Sequence, residues 1–211
     1  MFFLAFEGLD GSGKSSLMTH LQNHLNTNNT KFIKTREPGG TQLGDQLRAL
    51  ILSKTGETPT PRTELLLYEA SRSQHVDLVI KPAIENKLWV LCDRFTASSI
   101  AFQAGGRQIS EDQVSWLNNF ATSGLRPDLN ILLDLSVEES QKRRQKRVLH
   151  NGEAEDRMES EAEAFHARVR TGFLQQAEKH PQDWLVLDAA KTQDELFQIL
   201  LRELRGRKWL V

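Results

Sequence analysis

GLDGSGKS, residues 8–15, is the stretch that decides the fold of this chain. It matches the phosphate-loop pattern G-x-x-x-x-G-K-[ST] at every fixed position. The apolar run Phe2–Phe6 comes before it, and Leu17, Leu21 and Leu25 recur at helical spacing after it. The stretch therefore predicts a buried strand, a phosphate-binding loop and a helix, in that order.

The residues of this loop have separate tasks in binding a nucleoside triphosphate. Glycines permit backbone angles that a side chain forbids, which lets successive N–H groups surround phosphate oxygens. The following helix adds its positive N-terminal end. Lys14 can reach the outer phosphates, and the Ser15 hydroxyl suits Mg2+. The predicted ATP-binding residues of this segment are Gly8, Leu9, Asp10, Gly11, Ser12, Gly13, Lys14, Ser15 and Ser16.

Apolar runs alternate with helical patterns along the rest of the chain. Four more runs predict strands, at Lys31–Thr35, Leu88–Cys92, Leu129–Leu135 and Trp184–Leu187. The alternation predicts an α/β fold of three layers, in which a mainly parallel five-stranded sheet is flanked by helices. Ligands bind at the carboxyl ends of the strands in such sheets. We expect one domain over residues 1–211.

Helix signals fill the intervals between these strands. A long helix is predicted from Arg62 to about Ile84. Ser110 with Gln113, three residues later, predicts a capping box that opens another helix.

The charge balance excludes some classes of partner. The chain of 211 residues carries 27 Lys plus Arg and 28 Asp plus Glu, for a net charge of -1. Nucleic acids and membrane surfaces attract proteins with a broad positive field, so neither partner is expected. Cys92 is the single cysteine in the sequence, which rules out an internal disulfide and favours a reducing, cytoplasmic compartment.

A phosphate loop alone does not separate a kinase from a GTPase or a transport ATPase. A GTPase carries N-K-x-D for guanine, whereas residues 86–89 read NKLW, and the chain has no L-S-G-G-Q segment. The short chain favours a kinase of small molecules. The loop leaves two kinds of protein open: a kinase of a nucleotide or nucleoside, and a non-catalytic protein whose interactions are gated by nucleotide.

Five segments, in order along nearly the whole chain, resemble the thymidylate kinases of the bacterial type. They read EGLDGSGKS (7–15), TREPGGT (35–41), YEASRSQH (68–75), DRFTASSIAFQ (93–103) and DRME (156–159). The resemblance implies a P-loop nucleoside monophosphate kinase fold with a short lid. It also implies transfer of phosphate from ATP to dTMP with Mg2+, giving dTDP for dTTP biosynthesis and DNA synthesis, and it implies a homodimer.

The resemblance assigns charged residues to the acceptor phosphate and to the metal. Arg36, Arg48 and Arg94 are expected to grip the acceptor, because guanidinium groups bind phosphate by paired hydrogen bonds. Glu37, next to Arg36, is counted with them as a substrate-binding residue. Asp93 ends a buried strand and is expected to hold Mg2+ together with the Ser15 hydroxyl, directly or through water.

The resemblance also assigns the contacts to the nucleoside. Tyr68 resembles the residue that stacks on thymine, and Arg72, one helical turn later, resembles the arginine that binds a base carbonyl. Ser99 and Gln103 resemble the other base contacts. Phe102, where many bacterial relatives carry Tyr, corresponds to the position that packs on the deoxyribose.

Residues 143–157 are expected to form a lid that closes over ATP. Ser12 stands where some relatives carry an arginine in the phosphate loop, so the cation for the transition state has to come from elsewhere. Arg143 is expected to bind ATP, and Arg147 or Arg157 to reach the transferring group. A solvated helix end is the alternative, since charge runs usually face water. The expected catalytic residues are Asp10, Lys14, Arg94, Arg147 and Arg157.

Overall fold

The computed structural model describes residues 1–152 and 154–210, without the side chain of Asn151. Glu153, within the predicted lid, and Val211, the end of the predicted domain, lie outside the described residues. The strands are β1 (Phe3–Glu7), β2 (Phe32–Arg36), β3 (Trp89–Asp93), β4 (Leu129–Asp134) and β5 (Trp184–Asp188). They form one sheet in the order β2-β3-β1-β4-β5, and every neighbouring pair is parallel. The predicted α/β fold with a five-stranded parallel sheet is confirmed.

The helices occupy the intervals that the sequence predicts. They are α1 (Lys14–Thr27), α2 (Gln42–Leu52), α3 (Pro61–His75), α4 (Lys81–Glu85), α5 (Thr96–Ser99), α6 (Glu111–Thr122), α7 (Val137–Asn151), α8 (Glu163–Lys179) and α9 (Gln193–Gly206). Within the described ranges, no helix combines the length and apolar character needed to cross a lipid bilayer.

The predicted long helix is present, although one turn of it is widened. Helical structure continues from α3 through a π-helical turn at Val76–Ile80 into α4. Pro82 explains the turn, because its ring has no N–H to donate and would crowd the carbonyl four residues earlier in a regular helix. A second π-helical segment, Ile100–Gly106, follows α5.

Successive side chains of β1 point to opposite faces of the sheet, so the strand packs against a layer of helices on each side. All five of its residues are buried. Leu4 and Phe6 pack with the apolar residues of α1 and α9 on one face, whereas Phe3 and Ala5 pack with the helical turn Val76–Ile80 on the other. Burial of both faces is typical of a parallel sheet covered by helices.

The capping box predicted at Ser110 lacks the side-chain hydrogen bond that defines such a box. Ser110 is the N-cap of α6, as expected, but its side chain makes no capping hydrogen bond. Glu111 and Asp112 lie in the first turn instead, and their charges favour the positive end of the helix.

Candidate active site

The phosphate loop lies at the carboxyl edge of the sheet, between β1 and α1. Gly8, Gly11 and Gly13 have φ values of 127°, 78° and 97°. A Cβ on Gly8 would lie 2.4 Å from the carbonyl oxygen of Leu133 in β4. The strand-to-helix turn therefore requires glycine, and successive N–H groups in such turns form a concavity for anions.

Lys14 is buried inside this loop. Its Nζ donates to the carbonyls of Gly8 and Leu9, each at 3.1 Å. Burial lowers the pKa of Lys14, and the nearby positive charge of Arg94 acts in the same direction. Ser15 and Ser16 follow at the exposed start of α1.

Arg94 lies between the phosphate loop and the cavity beside it. Its backbone is left-handed, with φ 69°, and its N–H donates to the Phe6 carbonyl at 2.9 Å. Its Nη2 donates to the Asp10 carboxylate at 2.8 Å. Its guanidinium carbon lies 4.9 Å from the centre of the Phe102 ring. Burial acts to raise the pKa of Asp10, but Arg94 and then Lys14 outweigh it and hold that pKa well below its usual range.

Glu7, the last residue of β1, anchors the turn that carries Arg94. One carboxylate oxygen accepts the Phe95 N–H at 2.8 Å and the other accepts the Ser98 hydroxyl at 2.6 Å. Burial raises the pKa of Glu7 to about 7, although Arg94 favours the charged form. The sequence reasoning missed Glu7, for which its place directly before the loop glycine was the available signal.

A cavity opens beside Arg94 and holds most of the predicted acceptor site. Eight predicted substrate residues line it: Glu37, Arg48, Tyr68, Arg72, Arg94, Ser99, Phe102 and Gln103. Asp10 of the phosphate loop and Asp156 line it too. Arg36 is not among the lining residues; its exposed side chain lies 3.6 Å from Asp45.

Arg72 is 2% exposed and is held by partners from four parts of the chain. It donates to Glu37 at 2.7 Å, to Ser99 at 2.8 Å and to Asn118 at 2.7 Å. It also donates to the Glu69 carboxylate and to the Phe95 carbonyl. These partners fix the direction of the guanidinium before any ligand binds. Asn118 lay in no motif of the sequence, and Glu69, although within the YEASRSQH segment, was assigned no role there.

The predicted lid arginines lie on α7 and just beyond it. Arg143 donates to the carbonyls of Gly11 at 3.4 Å and Ala189 at 3.1 Å. Arg147 pairs with Glu159 at 2.6 Å. Arg157 pairs with Glu64 at 2.7 Å and donates to the Ile51 carbonyl at 2.7 Å.

Arg144 is a further arginine beside the phosphate loop that sequence reasoning left without a role. It is buried and donates to the Ser140 hydroxyl at 2.9 Å, which itself donates to the Asp10 carbonyl at 2.7 Å. Ser140 and Arg144 lie four residues apart on one face of α7, a spacing that could have indicated the pair.

Asp93 has the position and chemistry of a metal ligand. It ends β3 beside the phosphate loop, and its Oδ1 is buried with no hydrogen-bond partner among the described residues. Carboxylate oxygen is the ligand type that Mg2+ prefers.

Comparison with known proteins gives this arrangement a family. The thymidylate kinase family model matches residues 6–199. A thymidylate kinase of Bdellovibrio bacteriovorus is 60% identical over 210 residues, covering 100% of this chain and 98% of that protein. Thymidylate kinases of Geotalea daltonii and Nitratidesulfovibrio vulgaris are 44% and 42% identical, covering 92% and 97% of this chain and 91% and 96% of their own lengths. The phosphate loop, the cavity beside Arg94 and this similarity over the full chain lead to one conclusion: the chain belongs to the thymidylate kinase family.

Proposed function

We propose that this chain transfers the γ-phosphoryl group of ATP to dTMP, with ATP in the phosphate loop and dTMP in the adjacent cavity. The observation that carries the proposal is the position of Arg94, which contacts Asp10 of the phosphate loop and also lines the cavity. Phosphoryl transfer needs alignment and charge neutralisation more than covalent chemistry, and a cation between the two sites supplies both.

The acceptor phosphate binds to arginines at the mouth of the cavity. Arg48 lines the cavity and donates to the Pro38 carbonyl at 3.1 Å. Burial lowers the pKa of Arg48, and the positive charge of nearby Arg36 lowers it further. Two adjacent cations repel each other until a dianion lies between them, which is what a nucleoside monophosphate provides.

The nucleoside binds deeper in the same cavity. The Tyr68 ring stacks on the base, and Arg72 and Gln103 meet its polar edge. Burial, and after it the charge of Glu64, raises the pKa of Tyr68 above its ordinary value. Phe102 packs on the sugar and at the same time supports the Arg94 guanidinium.

Asp93 and Ser15 are the residues that would hold Mg2+ together with the phosphates of ATP. When bound, it neutralises charge on the transferring group. Arg143 and Arg144 neutralise charge on the donor side, because their contacts lead to the phosphate loop. The lid of residues 143–157 closes over ATP and excludes water.

The chain forms a homodimer and works in the cytoplasm. An apolar face on α3 and α6, which we call the α3–α6 face, supports the dimer. It carries Leu66, Trp116 and Phe120, which are 55%, 65% and 72% exposed. The rings of Trp116 and Phe120 stack at 5.8 Å. Exposed apolar faces of this kind mark interfaces between proteins.

A coupled assay of ADP release with each monophosphate in turn tests the function. We expect turnover with dTMP to exceed turnover with dCMP and dGMP, because a polar base site leaves groups unpaired around the wrong base. Each such group costs on the order of 1–3 kcal/mol. Equal turnover with every monophosphate, or nucleotide binding without turnover, would contradict the proposal.

A further inference from the structure

Glu64 lies in the first turn of α3, where an acidic residue is ordinarily a solvated helix-end charge. In this protein it is 0% exposed and lies beside the cavity. Gln103 donates to it from Nε2 at 3.0 Å. Arg107 donates through Nε at 3.0 Å and Nη2 at 2.9 Å, and Arg157 donates at 2.7 Å. Three separate side chains thus converge on one buried carboxylate.

These donors keep Glu64 ionised. Burial acts to raise its pKa, but the hydrogen bonds from Arg107, Gln103 and Arg157 outweigh burial and lower the pKa below its ordinary value. An ionised carboxylate has acceptors and no donor. Gln103 therefore has to present its NH2 group to Glu64, whatever else binds nearby.

The orientation of Gln103 decides what the cavity offers to a base. Gln103 is 1% exposed and lines the cavity. With its NH2 group held by Glu64, the amide has its carbonyl oxygen, an acceptor, left for the ligand. Arg72 uses its Nε and Nη1 hydrogens and one Nη2 hydrogen on its protein partners, so one Nη2 hydrogen remains as a donor for the ligand. An acceptor beside a donor complements the N3–H and O4 of thymine, whereas cytosine has an acceptor at N3 and a donor at N4.

We propose that Glu64 is a positioning residue for base selectivity, which orients the Gln103 amide so that the enzyme accepts bases with an N3–H and rejects cytosine. The inference rests on the proposed function, because it requires dTMP to bind in this cavity. Glu64 touches no substrate atom in this account and acts through Gln103.

The test compares kcat/KM for dTMP, dUMP and dCMP in the wild type and in Glu64→Gln. An amide at position 64 has a donor of its own and no longer dictates the orientation of Gln103. We expect the dTMP:dCMP ratio to fall by about tenfold or more. The dTMP:dUMP ratio should change by less than about twofold, since both bases carry N3–H. A general distortion of the site would disturb both ratios.

The control variants are chosen so that the charges around Glu64 stay balanced. Glu64 and Glu161 face Arg107 and Arg157 in one cluster. Glu64→Gln alone leaves an excess positive charge, so we pair it with the charge-balanced double variant Glu64→Gln/Arg107→Gln. Arg107→Gln alone keeps the Glu64 carboxylate that orients Gln103, so the dTMP:dCMP ratio should stay as in the wild type. If the single variant does not fold, the double variant decides.

The outcomes separate the inference from the function on which it rests. A folded Glu64→Gln or double variant with the wild-type dTMP:dCMP ratio overturns the inference alone. Loss of selectivity in Arg107→Gln equal to that in the double variant also overturns it. A wild-type protein that does not phosphorylate dTMP overturns the proposed function and this inference with it.

Discussion

Arg94 adopts a backbone conformation that is unfavourable for a residue with a side chain, with φ 69°. Left-handed geometry costs about 1–2 kcal/mol for such a residue. Glu7 offsets this cost, because its buried carboxylate accepts the Phe95 N–H and the Ser98 hydroxyl just after Arg94. The residue that holds the turn carrying Arg94 in place is thus itself a buried acid.

The raised pKa of Glu7 predicts a stability that depends on pH. The pKa of Glu7 is about 7 in the folded protein, against an ordinary value of 4.5. The folded state therefore holds this proton more tightly than the unfolded chain. Its stabilising effect is complete below about pH 4.5 and is lost as the pH rises through 7. We expect the free energy of unfolding of the wild type, minus that of Glu7→Gln, to fall by up to about 3 kcal/mol across this window.

Urea unfolding at a series of pH values measures this difference. Glu178→Gln, which removes an exposed carboxylate on α8, provides the background pH dependence. Parallel pH curves for the wild type and Glu7→Gln would show that Glu7 titrates alike in both states, contrary to the prediction.

At the scale of the element, α7 bonds the phosphate loop and carries residues 143–151 of the predicted lid. Ser140 bonds the loop through the Asp10 carbonyl, and Arg143 bonds it through the Gly11 carbonyl. The run of basic residues that follows therefore continues a helix whose start is bonded to the loop. Each of its arginines pairs with a carboxylate: Arg143 with Glu139, Arg144 with Glu155 and Arg147 with Glu159. Arg143 in addition donates to the Gly11 carbonyl of the loop, and Arg144 reaches the loop through Ser140.

Single alanine variants of the arginines at 143, 144, 147 and 157 locate the catalytic cation. Removal of the arginine that meets the transferring group should lower kcat by about a thousandfold. We expect the largest loss at Arg143 or Arg144, rather than at Arg147 or Arg157 as the sequence alone suggests, because the contacts of Arg143 and Arg144 lead to the phosphate loop. Calorimetric affinity for dTMP should hardly change there, because other residues bind the acceptor. Arg157→Ala should in addition lower the thermal midpoint, since Glu64 and the Ile51 carbonyl lose a buried partner.

Lys142→Ala is the matched control on the same helix, because Lys142 pairs with Glu138 on the exposed side. It should leave kcat unchanged. If all four arginine variants turn over within a fewfold of the wild type, α7 and its lid do not supply the cation, and Arg94 becomes the first candidate.

At the scale of the whole molecule, the exposed α3–α6 face predicts that two copies of the chain pair through it. The face joins the two helices that carry Glu64, Arg72 and Asn118, so pairing there would support the proposed base site from behind. We expect sedimentation to show a dimer and Trp116→Arg to shift it to a monomer at micromolar concentration. Val186→Arg, on the edge strand β5, should leave the dimer intact. A monomeric wild type would contradict the assignment of this face.

The sequence by itself determines those parts of the protein that are local. The phosphate loop is eight contiguous residues whose conformation follows from its own glycines. The strands follow from short apolar runs, and their parallel order makes their carboxyl ends converge on one edge. Asp93 and Arg94 could be assigned to the site for this reason, because each is defined by its distance from a strand end.

Tertiary structure alone decided which polar side chains face one another. Glu64 is 39, 43 and 93 residues away from its partners Gln103, Arg107 and Arg157. In sequence it is indistinguishable from a solvated charge at a helix start. Arg36, by contrast, has the sequence context of a cavity residue but lies exposed near Asp45. Burial removes water as the competing partner, so the strength of a hydrogen bond and the protonation of an acid depend on neighbours that only the folded chain brings together.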